Sequence, residues 1–168
     1  MTLRTGSVHA LLWLLGSLIL LALSSCFQIT RPTILVANLS LEVGEMGLLQ
    51  ISVFNLEGVH VLQLGPMGTL TFDPEVIQIE RMSGVRGFQV FASAIDNNEG
   101  KAIFLAGFPG GSLSHGALME LELRAVGSLG SSTLVEISLF DLVADSSGEE
   151  ITRFDLRGGK VTIREARF

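Results

Sequence analysis

Leu70-Thr71-Phe72-Asp73-Pro74-Glu75-Val76-Ile77-Gln78-Ile79-Glu80 reads as strand, tight corner, strand, with nothing helix-forming between. Pro74 fixes its own φ and drives Asp73 out of the helical region, while the Asp73 side chain can hydrogen-bond the backbone of the corner. The strand that carries Leu70 must therefore stop there. Val76–Glu80 then resumes with Ile77 and Ile79 on one face and Gln78 and Glu80 on the other, the period of a half-buried strand.

The same grammar runs outward in both directions. Ile34, Val36, Leu39 and Leu41 form a first strand, broken at Gly44 before Leu49, Ile51 and Val53 alternate with Gln50 and Ser52. Val59–Leu64 is extended and apolar, and Gly65-Pro66-Met67 interrupts it like an insertion of about three residues before Thr69–Phe72 continues. After the corner, Gly87–Ala92 reads as a short strand, and Asp96-Asn97-Asn98-Glu99-Gly100 as a tight return. Lys101–Phe108 follows, apolar on both faces. Ala117, Met119, Leu121, Leu123 and Ala125 alternate with Glu120, Glu122 and Arg124, and Thr133, Val135, Ile137 and Leu139 form the next apolar row. Gly158-Gly159 introduces a last strand, with Val161 and Ile163 inward. About nine short strands punctuated by Gly, Asn, Asp and Pro imply an all-β sandwich.

The N-terminus has a different character. Arg4 precedes Val8–Leu23, an apolar run of 16 residues, which is short for a membrane span and suited to a signal-peptide core. Leu23-Ser24-Ser25-Cys26 resembles the bacterial lipobox, whose cysteine is lipidated and becomes the first residue of the mature protein. Cys26 is the single cysteine of the chain, so it has no intrachain disulfide partner. The expectation is a signal peptide over 1–25, a short tether over 26–31 and a domain over 32–165, lipid-anchored through Cys26 on the extracytoplasmic side of the cell membrane or outer membrane. A plain secretory signal or an uncleaved anchor would also place the domain outside the cytoplasm. The five residues between Cys26 and Pro32 at about 3.3 Å each reach roughly 17 Å, so the domain would sit close to its bilayer.

Without residues 1–25 the chain keeps 17 acidic side chains and 10 basic ones, Arg4 having gone, for a net charge of −7. That balance argues against nucleic acid, which demands clustered Lys and Arg, and against electrostatic docking to anionic lipid. Catalysis finds few candidates. His60 lies inside a strand, and Ser114-His115 are chain neighbours with no third group implied, so no catalytic residue is assigned. Asp96–Glu99, Asp141 and Asp145 could offer oxygens to calcium, yet their spacing fits no EF-hand loop and solvated turn formers explain them; no metal or cofactor is assigned. A carbohydrate-binding module would favour exposed Trp and Tyr; the chain has no Tyr, its one Trp precedes residue 25, and Phe72, Phe88 and Phe104 read as core.

The order of features is similar to the bacterial cohesin module, the nine-stranded jelly-roll β-sandwich that binds dockerin modules in cellulase complexes. The resemblance covers roughly Thr33–Ile163. It rests on Gly58-Val59 opening a strand, the Phe72-Asp73-Pro74 corner followed by Val76, the Asp96–Lys101 turn, the Gly116–Ala125 strand and the closing Gly159-Lys160-Val161-Thr162-Ile163. It implies one sheet built from 59–72, 87–92, 101–108 and 133–142 that carries a partner-binding face.

That implication meets an anomaly in the residues themselves. Ile103 and Leu105 form a second apolar row behind Ala102, Phe104 and Ala106, and Leu134, Phe140 and Leu142 lie opposite the buried row of their own strand; either loops cover them or they form an exposed interaction patch. The candidate contact face is Gln89, Phe91, Lys101, Ile103, Leu105, Glu136, Ser138 and Phe140. The expected function is a non-catalytic, lipid-anchored module that holds a protein partner, dockerin-like, at the cell envelope. A carbohydrate-binding module that takes polysaccharide, or a structural subunit of an envelope complex, are the alternatives.

Overall fold

The structure is a computed structural model that describes residues 31–165. The signal peptide, the lipobox and Cys26 lie outside the described residues. Arg31–Phe168 separates as a compact unit, and the whole buried hydrophobic core falls between Ile34 and Ile163 of that unit.

Among the described residues there is no helix, only thirteen strands: β1 (Thr33–Val36), β2 (Leu39–Glu42), β3 (Met46–Phe54), β4 (Val61–Leu64), β5 (Leu70–Thr71), β6 (Ile77–Gly84), β7 (Gln89–Asp96), β8 (Lys101–Gly107), β9 (Gly116–Ala125), β10 (Ser132–Ile137), β11 (Leu142–Ala144), β12 (Asp155–Arg157) and β13 (Gly159–Arg164). One sheet runs β12-β1-β3-β9-β6, and the other β11-β4-β8-β5-β10-β13-β2 with β7 beside β8. Four pairs are halves of single interrupted strands: β1 with β2, β4 with β5, β10 with β11 and β12 with β13. Joining them leaves nine strands in two packed sheets, the jelly-roll sandwich expected from the sequence.

The interruptions have local causes. The first and last strands run parallel and change sheets together: β12 pairs with β1 in one sheet, and β13 pairs with β2 in the other. Gly159 stands at this crossover because a Cβ there would meet the Ala37 carbonyl oxygen at 1.9 Å. Gly158-Gly159 is thus a close approach of two strands rather than a simple turn. The Asn38 side chain completes the switch by accepting the Lys160 N–H at 2.8 Å.

The corner at Asp73-Pro74 forms as its chemistry requires. Asp73 Oδ1 accepts the Glu75 N–H at 2.9 Å, and the Asp73 carbonyl accepts from Val76 and Ile77. Gly100, at φ 66°, fits beneath it: a Cβ would meet the Phe72 carbonyl oxygen at 2.1 Å, and the Gly100 carbonyl accepts the Phe72 N–H. Ile77 and Ile79 are buried and Glu80 is exposed, as the alternation indicates, and a bulge between Ile79 and Arg81 resets the register.

The strand anticipated over Gly87–Ala92 instead spans Gln89–Asp96. Arg86 and Gly87 take positive φ in the turn before it, which delays its start, and it then pairs with β8 as far as Asp96↔Lys101. Leu139 also departs from the reading: it is 43% exposed, because β10 ends at Ile137 and the alternation does not continue through the break. Phe72, Phe88 and Phe104 are core residues, as expected. The core between the sheets is almost wholly apolar, and truncating a central residue such as Leu121 in it would cost about 2–5 kcal/mol.

Candidate functional site

The outer faces of the two sheets differ in chemistry. On the five-stranded sheet, cross-strand polar pairs run across the surface beside the exposed Met46 and Leu48: Arg124 with Glu80 at 2.7 Å, Arg81 with Glu122 at 3.1 Å and Gln50 with Glu120 at 3.1 Å. Such exposed pairs each contribute at most about 1 kcal/mol, and they mark a face built for water. The other sheet places β7, β8, β4/β5 and β10/β11 side by side, the strands that the sequence singled out. Its outer surface carries Phe91, Ile103, Leu105 and Leu134 exposed among polar residues.

Strand β8 shows why. Ala102, Phe104 and Ala106 are buried, so Lys101, Ile103 and Leu105 point outward, and Ile103 and Leu105 are 38% and 36% exposed. Gly65 packs on one side of Ile103, and both side chains remain open to solvent on the other. Ala94 and Ala92 on β7 stand opposite Ile103 and Leu105, and their small side chains leave an open trough of about 320 Å³ between the two strands and Gly65. Phe91 is the residue of a bulge between Val90 and Ala92, is 55% exposed, and lays its ring over Gly107, whose missing side chain makes room for it.

Of the eight residues proposed for a contact face, Gln89, Phe91, Lys101, Ile103, Leu105, Glu136 and Ser138 are exposed and lie on this sheet. Phe140 is placed differently. It is half-buried against the core, edge-on to Phe104 at 6.1 Å and to Phe154 at 6.3 Å, because the break after Ile137 turns it inward and leaves Leu139 outside. Leu134, on the outer face of β10, is 56% exposed and extends the apolar surface towards β13. Lys101 pairs with Glu99 at 2.9 Å, which raises the Lys101 pKa, whereas Glu136 joins no ion pair among the described residues.

The interruption in the middle of this face is larger than the sequence suggested. Leu64 stands opposite Phe104 and Leu70 opposite Ala102, so residues 65–69 face the single residue Ile103, four more than a continuous strand would use. Asp141 holds the resulting bulge. Its carboxylate accepts the backbone N–H groups of Gly65 at 2.5 Å, Met67 at 2.9 Å and Gly68 at 3.1 Å. Desolvation raises the Asp141 pKa, but these donors outweigh it and hold the carboxyl below its usual range. Ser138 adds a further tie, its Oγ accepting the Thr69 N–H at 3.0 Å. The sequence reading placed Met67 in an insertion but gave it no role, and the trough beside Gly65 escaped it because the trough exists only once strands are paired.

The polar residues weighed for chemistry are occupied elsewhere. Ser114 Oγ accepts the Gly58 N–H at 3.1 Å, and the His115 ring stands edge-on to Phe54 at 4.8 Å, so the two are not joined as nucleophile and base. His60 Nδ1 meets the Gly111 carbonyl. Asp145 Oδ1 takes Ser147 Oγ–H and the Ser147 and Glu149 N–H groups, and the Ser147 hydroxyl leads in pulling its pKa down. Among the described residues, no three His, Cys, Asp or Glu side chains converge as a metal site.

No family model matches the sequence, and no curated protein does. Solved structures do match the fold. A chain of a type I cohesin–dockerin complex from Clostridium thermocellum superimposes with a TM-score of 0.66 at 13% identity, over 80% of this chain and 99% of that one. The seventh ScaB type I cohesin from Pseudobacteroides cellulosolvens gives 0.65 at 12% identity, over 82% and 95%. A non-cellulosomal cohesin from the archaeon Archaeoglobus fulgidus gives 0.62 at 15% identity, over 80% and 91%. The described domain has the cohesin fold.

Proposed function

We propose that this chain is a non-catalytic binding module whose β7-β8-β4/β5-β10/β11 face docks a protein partner of the dockerin type, and that lipid on Cys26 retains it at the cell envelope. The observation that carries the reading is the contrast between the two outer faces: one sets Met46 and Leu48 among polar cross-strand pairs, and the other exposes Phe91, Ile103, Leu105 and Leu134 around an apolar trough. An exposed apolar surface of this kind on an extracytoplasmic domain marks an interaction site. Similar folds occur in complexes with dockerins, which supports the choice of partner by analogy of fold. The absence of an assembled nucleophile and base around Ser114 and His115 supports a binding role over a catalytic one.

The test is capture from the organism's envelope extract by the full chain, with and without calcium, followed by sequencing of what is retained. A captured protein bearing duplicated calcium-binding loops, retained only with calcium, is the expected result, because such loops fold around the ion. Retention of polysaccharide alone would replace this reading with a carbohydrate-binding one. Lipidation is checked by mass spectrometry of the mature N-terminus and by its loss in Cys26→Ala.

A further inference from the structure

The bulge at 65–69 is a feature of this chain's own sequence, and it sits in the centre of the proposed face. Met67 at its tip is 76% exposed, more than any other large apolar residue described. The bulge also forms one wall of the apolar trough, since Gly65 packs directly on the Ile103 side chain: a Cβ at Gly65 would meet Ile103 at 3.1 Å. A partner shaped to a smooth sheet would strike this projection. A partner with a socket for Met67 and an apolar ridge for the trough would bury both.

Charge narrows the partner further. Asp96, Glu99 and Lys101 line a hollow that shares Ala94 and Ile103 with the trough, and Glu136 stands beyond Thr71 on the next strand; Lys101 and Glu99 neutralise each other, which leaves Asp96 and Glu136 as the unpaired charges of this end among the described residues. A ridge flanked by Lys or Arg complements that rim, whereas one flanked by carboxylates would be repelled.

Building on the reading of this face as a protein-binding surface, we infer that the 65–69 bulge sets its specificity, admitting a protein whose apolar ridge is flanked by basic side chains, with Met67 as the anchor and Asp141 as the residue that positions it. Asp141 acts through the backbone: its three accepted N–H groups fix the bulge from which Met67 projects.

The test uses residues 31–168, the compact unit that contains the whole core, with two synthetic amphipathic helices as probes, one of Leu and Lys and one of Leu and Glu. Backbone and methyl chemical shifts are followed on titration. The Lys helix shifts Met67, Ile103 and Leu105, the Glu helix does not, and salt weakens the response. Met67→Ser lowers affinity about tenfold, the loss of roughly one good apolar contact, while Met67→Leu retains it. Asp141→Asn lowers affinity similarly and speeds amide exchange at Gly65, Met67 and Gly68 more than at Leu121 and Val135, whose amides report only the change in global stability.

Equal binding of both helices, undiminished binding by Met67→Ser, or shifts elsewhere or nowhere would overturn the inference. Capture of a natural partner together with any of these results would leave the face's binding role standing. Lys-helix binding at Met67 with no dockerin-type partner captured would support the inference and remove the dockerin reading.

Discussion

Asn97 pairs with Ile79 as a neighbouring strand would: its Nδ2 donates to the Ile79 carbonyl at 3.0 Å and its Oδ1 accepts the Ile79 N–H at 2.9 Å. Asn97 belongs to the turn between β7 and β8, and Ile79 to β6 at the edge of the opposite sheet. One side chain therefore stitches the two sheets along their open seam and caps an edge that would otherwise offer unpaired backbone groups. It also steadies β7, which pairs with β8 alone and carries Phe91 of the proposed face.

Removing the stitch has a defined cost. Asn97→Ala leaves two half-buried backbone groups without their partner and is expected to destabilise the domain by about 1–3 kcal/mol. Thermal unfolding measures the loss. Amide exchange should accelerate at Ile79 and along β7, while β3 and β9 in the middle of their sheet stay protected.

Glycine positions at close approaches should be equally unforgiving. Gly159→Ala forces a Cβ against the Ala37 carbonyl at the sheet crossover, and Gly100→Ala adds an unfavourable positive φ to a clash with the Phe72 carbonyl. Each is expected to cost about 1–3 kcal/mol or more, read as a lower denaturation midpoint. Gly110→Ala meets nothing within 4 Å and serves as the neutral control.

What the sequence made legible follows from the range of the forces involved. Alternation in Ala117–Ala125 and around Ile77 and Ile79 is local, so strands with one wet face were plain, as was the Asp73-Pro74 corner. The outward row of Ile103 and Leu105 was legible because a strand apolar on both faces has no local explanation. Pairing between distant segments was not. Asp141 looked like a turn former or calcium ligand, but its partners lie more than seventy positions away in the chain. Gly159 reads only as the lead-in to the last strand until Ala37 is brought against it, and the parity of Leu139 and Phe140 flips at a strand break that no alternation rule anticipates.

Acid should loosen the domain through two carboxyls. Asp141 and Asp145 both titrate below their ordinary value in the folded chain, Asp141 through backbone donors that overcome desolvation and Asp145 chiefly through Ser147. A carboxyl with a depressed folded pKa stabilises the fold above its unfolded pKa, near 4, and that contribution disappears as pH falls through the folded value. Unfolding midpoints measured from neutral pH downward should therefore drop below about pH 4, and the acid slope should be shallower in Asp141→Asn.

The most direct measurement of the central claim compares calcium-dependent capture from envelope extract by the wild-type chain, Leu105→Asp and Leu48→Asp. Leu105 lies on the proposed face and Leu48, 52% exposed, on the outer surface of the opposite sheet, so each variant adds a charge at a solvent-accessible position. Capture should fall at least about tenfold for Leu105→Asp and stay at the wild-type level for Leu48→Asp, since burying a charge in an apolar contact is strongly disfavoured. Unchanged capture by a folded Leu105→Asp chain, or loss only with Leu48→Asp, would contradict the assignment of the binding face.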